Sequence, residues 1–172
     1  GQRGDLEGRA RWLAAARLRT EPAKACALAE EIAVTQFERG RWSDCLVALD
    51  DEALKEATDR TDLVRLRARC LLMLDRPREA RDLMLGLRSQ TDADGRNATI
   101  LGMAAMRLGD TARMTEAGRS LTQSRPGSAD GWMLLGVAAL ERGDRTEARR
   151  LLTEASAREP SRELPRKLLA QA

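Results

Sequence analysis

The segment 129–160 reads ADGWMLLGVAALERGDRTEARRLLTEASAREP, and its landmarks recur upstream at a fixed interval. Gly136 has a counterpart in Gly102, Gly143 in Gly109, Asp144 in Asp110 and Pro160 in Pro126, each 34 residues earlier. One further step of 34 lands on Ala68 and on Asp75, a small residue and a turn former. The run Asp75-Arg-Pro-Arg-Glu-Ala80 parallels Gly143-Asp-Arg-Thr-Glu-Ala148, and with a one-residue slip so does Gly40-Arg-Trp-Ser-Asp-Cys45. A fixed period of this length marks a stacked array of one supersecondary unit.

Each landmark has a physical reason. A small residue midway along a first helix lets a neighbouring helix approach closely. The glycine seven residues later accepts the left-handed conformation that ends a helix. Cys45, Ala80 and Ala148 are small where a second helix presses on the first. The proline closing each unit stops the second helix. The spacing predicts ten helices, near 5–20, 23–38, 42–56, 60–74, 77–90, 95–108, 111–124, 129–142, 145–158 and 161–171.

The last unit resembles a tetratricopeptide repeat. Trp132, Leu135, Gly136, Ala139, Gly143, Ala148, Leu152, Ala155 and Pro160 fall on that family's spacing, with Ala139 and Leu152 replacing the usual Tyr and Phe. The unit from Gly95 keeps Leu101, Gly102, Gly109 and Pro126. It has Met114 where Ala is usual and Gly118 where a large residue is usual, which reads as a volume-conserving swap. The resemblance implies an all-α fold, a right-handed superhelix of about four antiparallel hairpins in one domain. The expected repeats are 26–60, 61–94, 95–128 and 129–160. Gly4-Asp5 through Pro22 reads as a half-repeat, as if the chain began inside a longer protein. The stretch 161–172 reads as a capping helix with an apolar stripe of Leu164, Leu168 and Leu169.

Composition fits this reading. The 172 residues are 42% hydrophobic and 33% charged, a globular balance, and the 2% aromatic share leaves Ala and Leu to fill the interior. The net charge of +3 comes with both signs interleaved, a poor footprint for nucleic acid. Of the apolar runs, 133–140 is far short of the roughly 20 residues a membrane span needs. No signal peptide is legible; a cytoplasmic location is favoured, with a bacterial envelope location left open if a leader or anchor has been removed.

Enzymatic chemistry finds few residues to use. The chain has no His, so it holds no Ser-His-Asp or Cys-His pair and no His-ligated metal. No phosphate-binding glycine loop occurs. Asp50-Asp51-Glu52 is the densest carboxylate run and reads as a solvated surface. Cys26, Cys45 and Cys70 are odd in number and widely spaced. They read as three buried, reduced thiols rather than a disulfide framework or metal site. No enzyme, cofactor or metal is expected.

The resemblance implies instead a surface lined by chosen positions of each first helix. Carried over position by position, these are Phe37 in the first unit and Arg65 and Arg69 in the second. The third gives Arg96, Thr99, Met103 and Met106, and the fourth Met133, Val137 and Leu140. Arg can grip a carboxylate with two hydrogen bonds, and Met adapts to variable partners. The expected function is a protein-binding scaffold whose concave face takes a peptide, with an acidic segment as the natural partner. The bland alternative leaves Met103 and Val137 as packing residues and the arginines as solubilising charge. Two other functions compete: an architectural segment of a larger protein, and RNA binding by an Arg-rich array, which the scarcity of aromatics disfavours. Some family members grip a chaperone's C-terminal tail with Lys, Asn and Arg. Here Arg65 and Arg69 replace the Lys/Asn pair and Asn97 is out of register, so that role does not carry over.

Overall fold

In a computed structural model of the chain, residues 8, 11, 22–51, 54, 60–87, 92 and 94–172 are described. All regular structure among them is α-helical. The helices are α1 (Pro22–Glu38), α2 (Trp42–Leu49), α3 (Thr61–Met73), α4 (Pro77–Leu85), α5 (Arg96–Leu108), α6 (Thr111–Ser124), α7 (Ala129–Glu141), α8 (Arg145–Arg158) and α9 (Glu163–Leu169). The helix expected at 5–20, and the half-repeat it belongs to, lie almost entirely outside the described residues.

The 34-residue period is written into the backbone as one repeated turn. Gly40, Asp75, Gly109 and Gly143 all have positive φ, at 70°, 56°, 67° and 79°. At each, two main-chain bonds close the preceding helix. The longer bonds are Arg41 N–H to Gln36 O (2.9 Å), Arg76 to Leu71 (2.9 Å), Asp110 to Ala105 (2.9 Å) and Asp144 to Ala139 (3.0 Å). The shorter ones run from Gly40 to Phe37, Asp75 to Leu72, Gly109 to Met106 and Gly143 to Leu140. This pairing is the Schellman motif, which satisfies carbonyls that a helix end would otherwise leave unbonded. Asp75 is the position where a side chain must tolerate the left-handed backbone.

Starts are encoded as well as stops. Asp110 accepts from Arg113 N at 3.0 Å and Asp144 from Glu147 N at 3.0 Å, capping α6 and α8. Ser128 caps α7 by accepting from Asp130 N, and Pro22 and Pro77 occupy the first positions of α1 and α4.

Contacts divide the chain into two compact units, Gly1–Arg76 and Pro77–Ala172. In the first, α1 packs on α2, and both pack on α3. Ala29, Ala33, Cys45, Leu49, Leu54 and Cys70 form its core. In the second, each helix from α4 to α9 packs on the next, and α7 also meets α5 and α9. Small residues set these distances. A Cβ on Gly118 would lie 2.8 Å from Leu135 Cγ and 3.0 Å from Gly131 O. A Cβ on Gly136 would lie 2.7 Å from Leu152 Cγ. The space beside Gly118 is thus filled by Leu135 and the α7 backbone, while Met114 is itself fully buried.

Several boundaries differ from expectation. The helix expected over 42–56 stops at Leu49, where Asp50 turns the chain and Arg67 of α3 donates to Leu49 O at 2.8 Å. The helix expected to reach residue 90 ends at Leu85, just before Gly86. In α9, Leu168 and Leu169 pack on the core, but Leu164 is 41% exposed and Pro165 is buried instead. Of the cysteines, Cys45 and Cys70 are buried as expected, and Cys26 is partly exposed.

Candidate functional site

In the first unit the turn at Gly40 brings the end of α1 against the start of α2. Phe37 and Trp42 meet edge to face, with ring centroids 5.0 Å apart and planes at 63°. Gly40 supplies the positive φ of this turn, and a Cβ there would only touch the indole, at 3.5 Å. On α3 the Arg69 guanidinium lies over the Phe37 ring, 4.3 Å from its centroid. Arg69 itself is exposed.

The three neighbouring arginines of α3 have separate tasks. Arg65 shares a face with Arg69, one helical turn away, but its side chain is only 16% exposed and reaches Asp62 at 3.4 Å. Arg67 points elsewhere, donating to Leu49 O and pairing with Asp50 at 2.6 Å. It ties α3 to the end of α2. Asp50, from the acidic run, is therefore a partner in an ion pair as well as a solvated group. Arg60 and Glu30 form a two-pronged pair at 2.6 and 2.8 Å across the same unit.

In the second unit Arg96 is exposed and pairs with Asp94 at 3.0 Å. Thr99 is taken up in structure: its hydroxyl donates to Gly95 O at 2.9 Å and accepts from Arg125. Met103, Met106 and Leu140 are half-buried, and the last two pack against core clusters. Met133 and Val137, expected on an open face, are core residues at 1% and 8% exposure. The reason lies in the position of α7. It is contacted by α5, α6, α8 and α9, so little of it faces solvent. Met133 packs with Ala148, Leu151, Leu152 and Ala172, and Val137 with Met114 and Leu134.

One polar cluster escaped the sequence reading. Arg158 lies over the Trp132 ring at 4.2 Å, and both donate to Pro126 O, the indole at 3.4 Å and the guanidinium at 2.8 Å. Beside them Glu159 accepts from Ala129 N at 3.0 Å, and Arg162 pairs with Asp130 at 2.6 Å. These groups fasten the linker before α7 to the end of α8. Trp132 stands at a family signature position, the one signal that could have flagged it; Arg158, 26 residues on, carries none.

No group of three or more potential metal ligands occurs among the described residues. No helix among them is long and apolar enough to cross a membrane.

No known family's sequence profile matches the chain, and no curated protein does. Solved structures do. YrrB, a TPR protein with an unusual peptide-binding site, superposes with a TM-score of 0.77 at 18% identity, over 95% of this chain and 83% of its own. MamA from Desulfovibrio magneticus gives 0.77 at 18%, over 94% and 89%. A tetratricopeptide repeat protein from Parabacteroides merdae gives 0.82 at 19%, over 99% and 66%.

Proposed function

From a chain that has the tetratricopeptide-repeat fold, we propose a non-enzymatic scaffold that binds a peptide segment of another protein. The observation that carries this reading is the Arg69–Phe37 stack. A guanidinium held over a ring at 4.3 Å on an exposed residue is well placed to receive a carboxylate. Arg65 adds charge on the same face of α3. The partner is an extended or helical segment with at least one acidic side chain and a few apolar ones. In the second unit, taken by itself, exposed Arg96 and half-buried Met103, Met106 and Leu140 are what remains of the expected surface. Met133 and Val137 drop out because the core covers them. The fold relative YrrB has a peptide-binding site, which supports the same class of ligand here.

The test is selection from a displayed random-peptide library, followed by fluorescence anisotropy with the best peptide. Enriched sequences should carry Asp or Glu. Arg69→Glu should weaken binding at least about tenfold, since a charge-assisted bond becomes a repulsion. Exposed Arg150 on α8, held by Glu147 at 2.6 and 2.7 Å, serves as the control, and Arg150→Glu should change little. Equal loss in both variants, or none in either, would sink the assignment.

A further inference from the structure

The sequence offers no paired cysteine spacing, yet the fold pairs two of the three. Cys45 on α2 and Cys70 on α3 are both 0% exposed and belong to one core cluster. The helices that carry them pack together, and each thiol acts on the other's proton affinity. Repeat geometry makes this meeting systematic. Cys45 holds the place of Ala80, Met114 and Ala148 in later second helices, and Cys70 that of Ala104 and Ala138 in later first helices. Met114 and Ala138, the same pair of places two units on, are likewise members of one buried cluster. This is the point where the second helix of one hairpin meets the first helix of the next.

We propose that Cys45 and Cys70 are a peroxide-oxidisable dithiol, which closes a reversible disulfide between α2 and α3. The two thiols are electrostatically unequal. The hydrogen bond from Cys45 holds Cys70 below the usual thiol range, helped by Arg69 and Arg67 and opposed by burial. The same bond, with burial, pushes Cys45 up. Cys70, the thiol with Arg69 as well as Arg67 beside it, is assigned the attacking role. It displaces hydroxide from a hydroperoxide's oxygen and becomes a sulfenic acid. The hydroxide takes up a proton and leaves as water. The Cys45 sulfur then attacks the sulfenic sulfur, its proton leaving with the hydroxyl as a second water. Two thiols and one hydrogen peroxide thus give one disulfide and two waters. Hydrogen peroxide is close to water in size and enters by local opening of the unit. The bridge joins α2 to α3 between residues 25 apart in sequence, and it requires no contact of the proposed peptide site.

Purified full chain is treated with hydrogen peroxide, quenched with catalase, alkylated and digested without reductant. Mass spectrometry should find a Cys45–Cys70 crosslink. The melting temperature should rise by roughly 5–10 °C and fall back with dithiothreitol. Cys26→Ser should behave as the parent. Cys45→Ala and Cys70→Ala place the residue found at the same points of other repeats, so they should fold, and both should lose crosslink and shift. The proposal fails if both thiols stay free, if Cys26 takes either partner, if Cys70 goes to sulfinic acid unbridged, or if Cys45→Ala still gains stability on oxidation.

Discussion

Replacing Gly118 by Ala puts two opposing effects on one residue of α6. Glycine inside a helix is worse than alanine by about 1 kcal/mol, so propensity alone favours the substitution. The packing opposes it. The new methyl would meet Leu135 Cγ at 2.8 Å and Gly131 O at 3.0 Å. The leucine can turn, but the carbonyl is main chain. Gly131 is itself wedged, since a Cβ there would lie 2.8 Å from Thr122 N and 2.9 Å from Gly118 O. Relief therefore requires α6 and α7 to separate. Overpacking of this kind costs about 1–3 kcal/mol. Set against the propensity gain, the net expectation is a loss of roughly 1 kcal/mol, lowering the melting temperature by about 2–4 °C. Urea titration should show a lower midpoint at unchanged slope. Gly127→Ala is the control: nothing lies within 4 Å of its Cβ position, and the variant should be neutral or up to about 1 kcal/mol more stable. A higher melting temperature for Gly118→Ala would refute the close-approach argument.

Other expectations follow from the turns and caps. At Asp75, with φ of 56°, Gly should be more stable than Ala by about 1 kcal/mol, measured by thermal unfolding of the two variants side by side. Asp144→Ala removes the acceptor for Glu147 N and should cost about 1 kcal/mol in urea titration, while Asp144→Asn should keep most of it. Met114→Ala empties a fully buried site and should cost about 2–5 kcal/mol, read as a drop in urea midpoint.

What the sequence made legible was whatever local chemistry determines. Helices α6 and α8 match the expected 111–124 and 145–158, because Asp110 and Asp144 start them and proline follows. The turns at Gly109 and Gly143 need one special residue each, and that residue is visible. What sequence could not supply was set by distant parts of the chain. The early end of α2 is secured by Arg67, 18 residues beyond Leu49. The end of α4, by contrast, is marked locally by Gly86. In the candidate site, Arg69 and Phe37 come together while Met133 and Val137 do not reach solvent. Register alone counts positions around a helix. It does not count how many neighbours cover that helix, and α7 has four.

Several ties across the repeats have nearly constant reach. Glu30 meets Arg60, Gly95 meets Arg125, Ala129 meets Glu159, Pro126 meets Arg158 and Asp130 meets Arg162, all 30 or 32 residues apart. Loop-closure entropy grows only with the logarithm of length, so each of these closures meets nearly the same entropic barrier. Ties of this reach keep contact order low where they occur, the kind of topology that goes with fast folding. In an array built of such short closures, folding can nucleate in any unit and propagate to its neighbours.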